Sequence, residues 1–347
     1  MSRYVTLADV ARKSKVSLST VSLVLRGKPG IPEATCQRVW EAAQALGYKR
    51  RSGSGRHSSG GGWPLGKLHT IGLIVKAEPG TIPQANPFYS HVLAGIEAAC
   101  RQGNINLLYA TLPVDENNVA VETPRMLEED SADGLLLVGA FADATLTAVL
   151  GRRSCPVVLV DAYSSVNGYD AVLSDNVGGA RRAVQYLIER GHRHIGLIAG
   201  HPHAYPSLSE RREGYLQALQ MAGITETYFT DCPLNPQAAA EATIQLLQRQ
   251  PQITALFGCN DEVAIAAMRA AQSLGRRIPE NLSVIGFDDI DLAQHVTPPL
   301  TTMHVDKAGM GRMAVQLLGN RIEFPSAERV TTLICPRLIE RESVAAC

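Results

Sequence analysis

Short, unbroken apolar runs, set between helical stretches, restrict this chain's fold more than any other feature. "TIGLIV", "INLLYAT", "GLLLVG", "PVVLVDA" and "AVLSD" follow one another from Thr70 to Asp175. A strand with one wet face alternates polar and apolar residues. A strand buried on both faces does not, and it belongs in a parallel sheet covered by helices on both sides. "SHVLAGIEAACRQG", "ETPRMLEEDSA" and "ATLTAVLGR" read as the covering helices. The pattern then restarts with "GGARRAVQYLIERGH", "HIGLIAG", "SERREGYLQALQMAGI", "AAAEATIQLLQRQ", "ITALFGC", "DEVAIAAMRAAQSLGRRI" and "LSVIGFDD". Two successive doubly wound α/β units are expected, with a ligand cleft between them.

The first residues have a different texture. "LADVARKSKVSLSTVSLVLRG", Leu7–Gly27, carries two short helical patterns broken at Ser14–Ser17. Thr6 is placed to cap the first, whose Leu7, Val10 and Ala11 form an apolar stripe. A second starts at Ser17 or Ser19, turns Val21, Val24 and Leu25 inward and ends at Gly27. Pro32 begins a third, with Ala34, Val39, Ala42, Ala43 and Leu46 inside and Gly47 at its end. Residues 1–48 thus read as a small all-α head. Residues 49–69 are a Gly/Ser-rich linker without periodicity. Residues 70–347 form the α/β core, divided approximately as 70–172 with 303–332 and 173–302 with 333–347.

The chain has 33 Lys/Arg and 33 Asp/Glu among 347 residues, for a formal net charge of zero. Residues 1–60 hold eleven basic and three acidic side chains, so the head is strongly basic and the rest correspondingly acidic. That asymmetry points to a polyanion partner for the head alone. No charged start leads into an apolar core of the signal-peptide kind. No run approaches the ~18 apolar residues of a membrane span. The seven Cys are scattered and never spaced C-x-x-C, which argues against a disulfide framework or zinc site and fits a reducing cytoplasm. "GHRHIGLIAGHPH" gathers four His without an acidic or Cys ligand close in sequence, so no metal is expected. Neither a phosphate loop nor a nucleophile elbow is present, and no cofactor is called for.

"VTLADVARKSKVSLSTVSLVLRGKPGIPEATCQRVWEAAQALGY" resembles the DNA-binding head of the lactose-repressor (galactose-repressor) family. "NPFYSHVLAGIEAA", "LSDNVGGARRAVQYLIERGHRHIGLIAG", "SERREGYLQAL", "FGCNDEVAIAAM", "RIPENLSVIGFDDIDLA" and "TPPLTTMHVD" match its body in the family's order. The resemblance implies a helix-turn-helix head that reads a pseudo-palindromic operator as a homodimer. It also implies a periplasmic-binding-protein-like core and a transcriptional repressor controlled by a small-molecule effector, a sugar or sugar derivative, in the interdomain cleft. A transporter's solute receptor and a sugar-metabolising α/β enzyme are the alternatives. The first lacks a leader and has a basic head to explain; the second lacks a phosphate loop or a placed base.

Site residues follow from the same resemblance. The second helix would enter the major groove, with Leu18 and Ser19 facing base edges and Thr6, Ser17, Thr20 and Ser22 donating to phosphates. Leu23 stands where the family commonly has Arg, the bidentate reader of guanine, and Arg26 where it usually has Asn. The linker lacks the family's hinge-helix leucine, which wedges into the minor groove, though Lys49, Arg50, Arg51 and Arg56 can reach phosphates. Effector contacts fall on Phe88, Tyr89, Asp161, Ser207, Ser209, Arg211, Asn260 and Asp288. Aromatic faces stack on sugars, carboxylates accept paired hydroxyls and guanidinium donates a fork. Asp175 reads as the cap of the next helix, and Asp261 and Asp289 are also placed to cap helices.

Overall fold

The computed structural model describes residues 6–17, 20, 21, 24, 31–46, 68–79, 82–115, 117–127, 131–150, 155–165, 168–200 and 205–347. The chain divides into two compact units, Met1–Gly62 and Trp63–Cys347.

In the first unit, α1 (Leu7–Ser14) opens with a reciprocal cap. The Thr6 N–H and hydroxyl both donate to the Asp9 carboxylate, and the Asp9 N–H donates to the Thr6 hydroxyl oxygen. Such caps satisfy amide donors that a helix start leaves open, and losing one costs about 1 kcal/mol. Lys15 ends α1 in left-handed backbone (φ 54°). A second helix is described at Thr20, Val21 and Val24, and the Thr20 N–H donates to the Ser17 hydroxyl at 3.1 Å. With α2 (Glu33–Ala45) it encloses Val10, Ala11, Val21, Val24, Val39, Ala42 and Ala43. Ala34, expected inside, is exposed. Cys36 takes the inner position, because 36, 39, 43 and 46 share one helical face and 34 falls off it. Leu25, Gly27 and Gly47 lie outside the described residues.

The second unit starts earlier than expected. Leu68 is buried in the main core, and the His69 and Thr70 N–H groups donate to the Asp133 carboxylate at 2.7 and 2.8 Å. Residues 68 and 69 therefore belong to the core and not to the linker, whose other positions lie outside the described residues. The first sheet holds β1 (Thr70–Ala77), β2 (Asn106–Pro113), β3 (Gly134–Val138), β4 (Val157–Val160), β5 (Asp170–Ser174) and β11 (Thr331–Ile334). Its order is β11-β5-β4-β3-β1-β2, parallel throughout. The second holds β6 (Ile195–Ile198), β7 (Tyr228–Phe229), β8 (Ala255–Gly258), β9 (Ser283–Asp288), β10 (Thr301–His304) and β12 (Arg337–Ile339). Its order is β12-β10-β9-β8-β6-β7, with β12 alone antiparallel to its neighbour.

Helices α3 (Tyr89–Gly103), α4 (Asp143–Leu150) and α9 (Lys307–Glu323) belong to the first lobe. The second lobe carries α5 (Asn176–Glu189), α6 (Pro206–Met221), α7 (Pro236–Arg249) and α8 (Asp261–Ser273). Helices α3 and α9 meet backbone to backbone. A methyl group at Gly95 or Gly311 would collide with the main chain at Ala308 or Val92. Asp175 caps α5 through the Gly178 N–H, as expected.

Three expectations need correction. "INLLYAT" reads as a buried strand, but β2 is the sheet's edge and Leu108 and Tyr109 are exposed. An apolar run does not reveal whether a neighbour covers it. "ETPRMLEEDSA" yields one 3₁₀ turn, Arg125–Leu127, among its described residues. The lobe boundaries also shift. β5 pairs with β11 through Ser174↔Ile334, and β10 pairs with β9 through His304↔Asp288. The chain therefore crosses between lobes after Ser174, after His304 and after Ile334, not at 172, 302 and 332.

Candidate effector site

In each lobe the strand order reverses beside one strand, β1 in the first and β6 in the second. At such switch points the strand C-termini leave a crevice for ligands. Both crevices open on one cavity of about 1260 Å³. Lys76 from β1, Asp161 after β4, Asn260 after β8 and Asp288 closing β9 line it.

Two carboxylates face it from opposite lobes on strained backbone. Asp161 has φ 51° and Asp288 φ 103°, conformations that cost a non-glycine residue on the order of 1–3 kcal/mol. Neighbouring groups hold them there. The Asp161 N–H donates to the Val172 carbonyl at 2.9 Å. The Lys307 ammonium donates to the carbonyls of Asp288 and Asp289.

Asp288 is heavily tied. Arg211, buried on α6, donates from Nη2 to its carboxylate at 3.0 Å, from Nε to Asn176 Oδ1 at 2.9 Å and from Nη1 to the Cys259 carbonyl. The guanidinium also lies 3.9 Å from the Phe287 ring centroid. Burial raises the Asp288 pKa above the usual carboxylate range, against the pull of Arg211 and Lys307. Asp161 accepts from the Tyr89 hydroxyl at 2.9 Å. Burial pushes its carboxyl up to about 6, although that hydrogen bond and the nearby Arg211 pull down. The Tyr89 hydroxyl rises well above its ordinary value through burial and the charge of Asp161.

Asn86 fixes the aromatic wall. Its Oδ1 accepts from both the Phe88 and Tyr89 N–H groups at 2.9 Å, and the two rings meet edge to face 5.4 Å apart. Phe88, Tyr89, Asp161, Ser207, Arg211, Asn260 and Asp288 line the cavity together; Ser209 does not. Asn260 caps α8 through the Val263 N–H. Asp261 instead accepts from the Ile290 N–H and the Thr302 hydroxyl, and burial raises it to about 8. Asp289 binds His304 and Arg341.

Several participants escape sequence reasoning. Lys76 pairs with Glu78 at 2.7 Å and donates to Asn118 at 3.0 Å. Its position at the end of an apolar strand run was the available signal. Contacts also span the two lobes. The Tyr205 hydroxyl reaches Asn118 and Glu78, with Lys76 4.5 Å from its ring centroid. The Tyr163 hydroxyl donates to Glu210 at 2.7 Å, and Asn176 joins Glu210 to Arg211. No local pattern marks these pairs, because each joins elements far apart in the chain.

In the head, Thr6 and Ser17 are exposed and Thr20 half-buried, while the Thr6 hydroxyl proton is given to Asp9. Leu18, Ser19, Ser22, Leu23 and Arg26 lie outside the described residues. His192 is held by the Thr254 hydroxyl and the Ala345 carbonyl, and His194 by the Tyr228 hydroxyl. Among the described residues no His, Cys, Asp and Glu cluster is arranged for a metal, and no helix is long and apolar enough to cross a membrane.

Residues 6–51 match the model of bacterial regulatory proteins of the lacI family, and residues 184–344 match a periplasmic binding protein-like domain. The chain is 32% identical over 351 residues to the ribose operon repressor of Haemophilus influenzae, covering 98% of each. The chain belongs to the lacI family. It is likewise 32% identical to the transcriptional repressor PurR of Photobacterium profundum, again over 98% of each chain. Among solved structures, the transcriptional regulator CelR in complex with cellobiose is 31% identical, with TM-score 0.70 over 98% of this chain and 99% of that one. A lacI-family regulator from Enterococcus faecium with bound ribose is 26% identical, with TM-score 0.66 over 80% of this chain and 99% of that one. As a lacI-family member with both parts matched, the protein is an effector-controlled, DNA-binding transcriptional repressor.

Proposed function

We propose that the effector is a polyhydroxylated molecule of the saccharide class, bound by Phe88, Tyr89, Asp161, Ser207, Arg211, Asn260 and Asp288. The placement of Asp161 and Asp288 carries this reading. Two carboxylates from opposite lobes border one cavity, beside a wall of aromatic rings. Carboxylates accept paired hydroxyls, and ring faces cover the apolar face of a sugar. Because the two acceptors sit on different lobes, an occupant that engages both favours one lobe arrangement. Its binding is then coupled to operator affinity, reciprocally. The cellobiose and ribose seen in similar regulators agree with that class. The protein works in the cytoplasm as a homodimer on a two-fold operator, with Thr6, Ser17 and Thr20 on its phosphate-facing side, and its cleft binds without catalysing.

The test has two arms. Full-length protein should retard a fragment of its own upstream DNA with an affinity that falls steeply with salt. A chain starting at residue 63 should bind none of it. Titration with a saccharide panel should then change the operator affinity of the full chain. Retained DNA binding by the truncated chain would sink the division of labour, and indifference to the whole panel would sink the effector class.

A further inference from the structure

We infer that the cleft is built for an uncharged or amine-bearing polyol and discriminates against phosphorylated or carboxylated counterparts. This rests on the polyol reading above and adds the effector's charge.

Among the described residues lining the cleft, the basic side chains are Lys76 and Arg211. Both are committed. Arg211 spends Nε, Nη1 and Nη2 on Asn176, the Cys259 carbonyl and Asp288. Lys76 is paired with Glu78 and bonded to Asn118. An anion approaching Arg211 would compete with the buried Asp288 carboxylate, and one approaching Lys76 with the half-exposed Glu78, so each cation already has its counter-charge.

Several backbone donors at the cleft are committed too. A helix start is a ready anion site, and α3, α6, α7 and α8 all begin at the cleft, α7 with its Gln237 and Ala238 N–H groups donated to Asn235. Asn86 already accepts from the Phe88 and Tyr89 N–H groups, and Asn260 from that of Val263. Helix α6 opens on Pro206, which has no N–H to offer.

Acceptors are in surplus. The Asp161 carboxylate receives the neutral Tyr89 hydroxyl. Asp288 shares one oxygen with Arg211, and Asp231 and Glu262 also border the cavity. Hydroxyl or ammonium donors satisfy these oxygens. A phosphate or carboxylate adds like charge to them in a site that water only partly screens.

The experiment is calorimetry on the full chain near neutral pH with matched compounds. The pairs are ribose and ribose 5-phosphate, glucose and glucose 6-phosphate, and cellobiose and its 6-phosphate, with glucosamine and gluconate added. At least one uncharged or amino member should bind, and its phosphate or acid partner should bind ~100-fold or more weakly, the scale of an unfavourable like-charge contact. The double change Asp161→Asn, Asp288→Asn should narrow that gap; an unchanged gap in a folded variant overturns the charge argument. Should the variant not fold, the wild-type pairs still decide. A phosphate or acid that binds as tightly as its uncharged partner overturns the charge inference and leaves the polyol reading standing. Binding by no member of either series overturns both.

Discussion

Asp161 and Asp288 occupy corresponding places in the two lobes, each at the C-terminal end of a strand and each on left-handed backbone. Their surroundings differ. Asp288 is wired to Arg211 and, through its carbonyl, to Lys307, while Asp161 has the Tyr89 hydroxyl. One wall is a fixed frame whose hydrogen bonds are mostly internal. The other presents an acceptor that an incoming molecule can complete. Arg211 therefore holds the second lobe's wall together, a tie that its expected reading as a fork toward the ligand did not include.

Arg211→Ala should test that frame with the largest effect. It leaves the buried Asp288 carboxylate without its partner, and breaking such a pair costs about 3–5 kcal/mol. Chemical denaturation of the full chain reads the loss. A loss under about 1 kcal/mol would show that the frame does not depend on this residue.

Asp161→Asn probes the opposite wall, and the two readouts should move apart. Effector affinity should fall roughly 10- to 100-fold, the worth of a charge-assisted hydrogen bond. The melting temperature without effector should not fall near neutral pH, because the change removes a charge that burial penalises. A parallel loss in both would make Asp161 another structural tie and erase the contrast.

The acid limb of effector binding gives a smaller and more specific signal. Burial holds the Asp161 carboxyl up to about 6 in the empty cleft. Donors from a bound polyol favour the ionised form and lower that value. Binding below it must expel a proton, so affinity should weaken as pH falls through about 6 and stay level above. For stability the sign is opposite. The raised native value favours the folded state at low pH, and that contribution is lost as pH rises through about 6. Calorimetry across this range should show the limb in the wild type and a flat profile in Asp161→Asn.

Tyr89→Phe should have the mildest effect. The hydroxyl it removes lowers the Asp161 value, so the acid limb should move to higher pH. Near neutral pH, the lost neutral hydrogen bond should cost about 1 kcal/mol or less of affinity. A limb that moves the other way would assign the titration to a different group.

The architecture was legible where both faces of a strand are covered. β1, β3, β4 and β9 read as apolar runs because neighbours and helices exclude water from both sides. β2 lies at an edge, and Asn106, Tyr109 and Thr111 among its apolar residues are the one local sign of its exposure. The lobe boundaries slipped by about two residues because crossing positions depend on pairing partners far along the chain, Ser174↔Ile334 and His304↔Asp288. Asp161 and Asp288 came from the family resemblance, and the cavity does bring them together. The occupied state of Arg211 could not be read, since Asn176, Cys259 and Asp288 meet it only after folding.

The three crossings have a mechanical consequence. β5 lies beside β11 in one sheet and β10 beside β12 in the other, so the three strips of backbone run next to one another like pins along the edge of a door. Folding about the line through them bends a few dihedral angles. Twisting one slab over the other, or sliding it sideways, would have to bend all three strips at once. Connectivity therefore favours one axis for any closing stroke, the line along which the three strips lie.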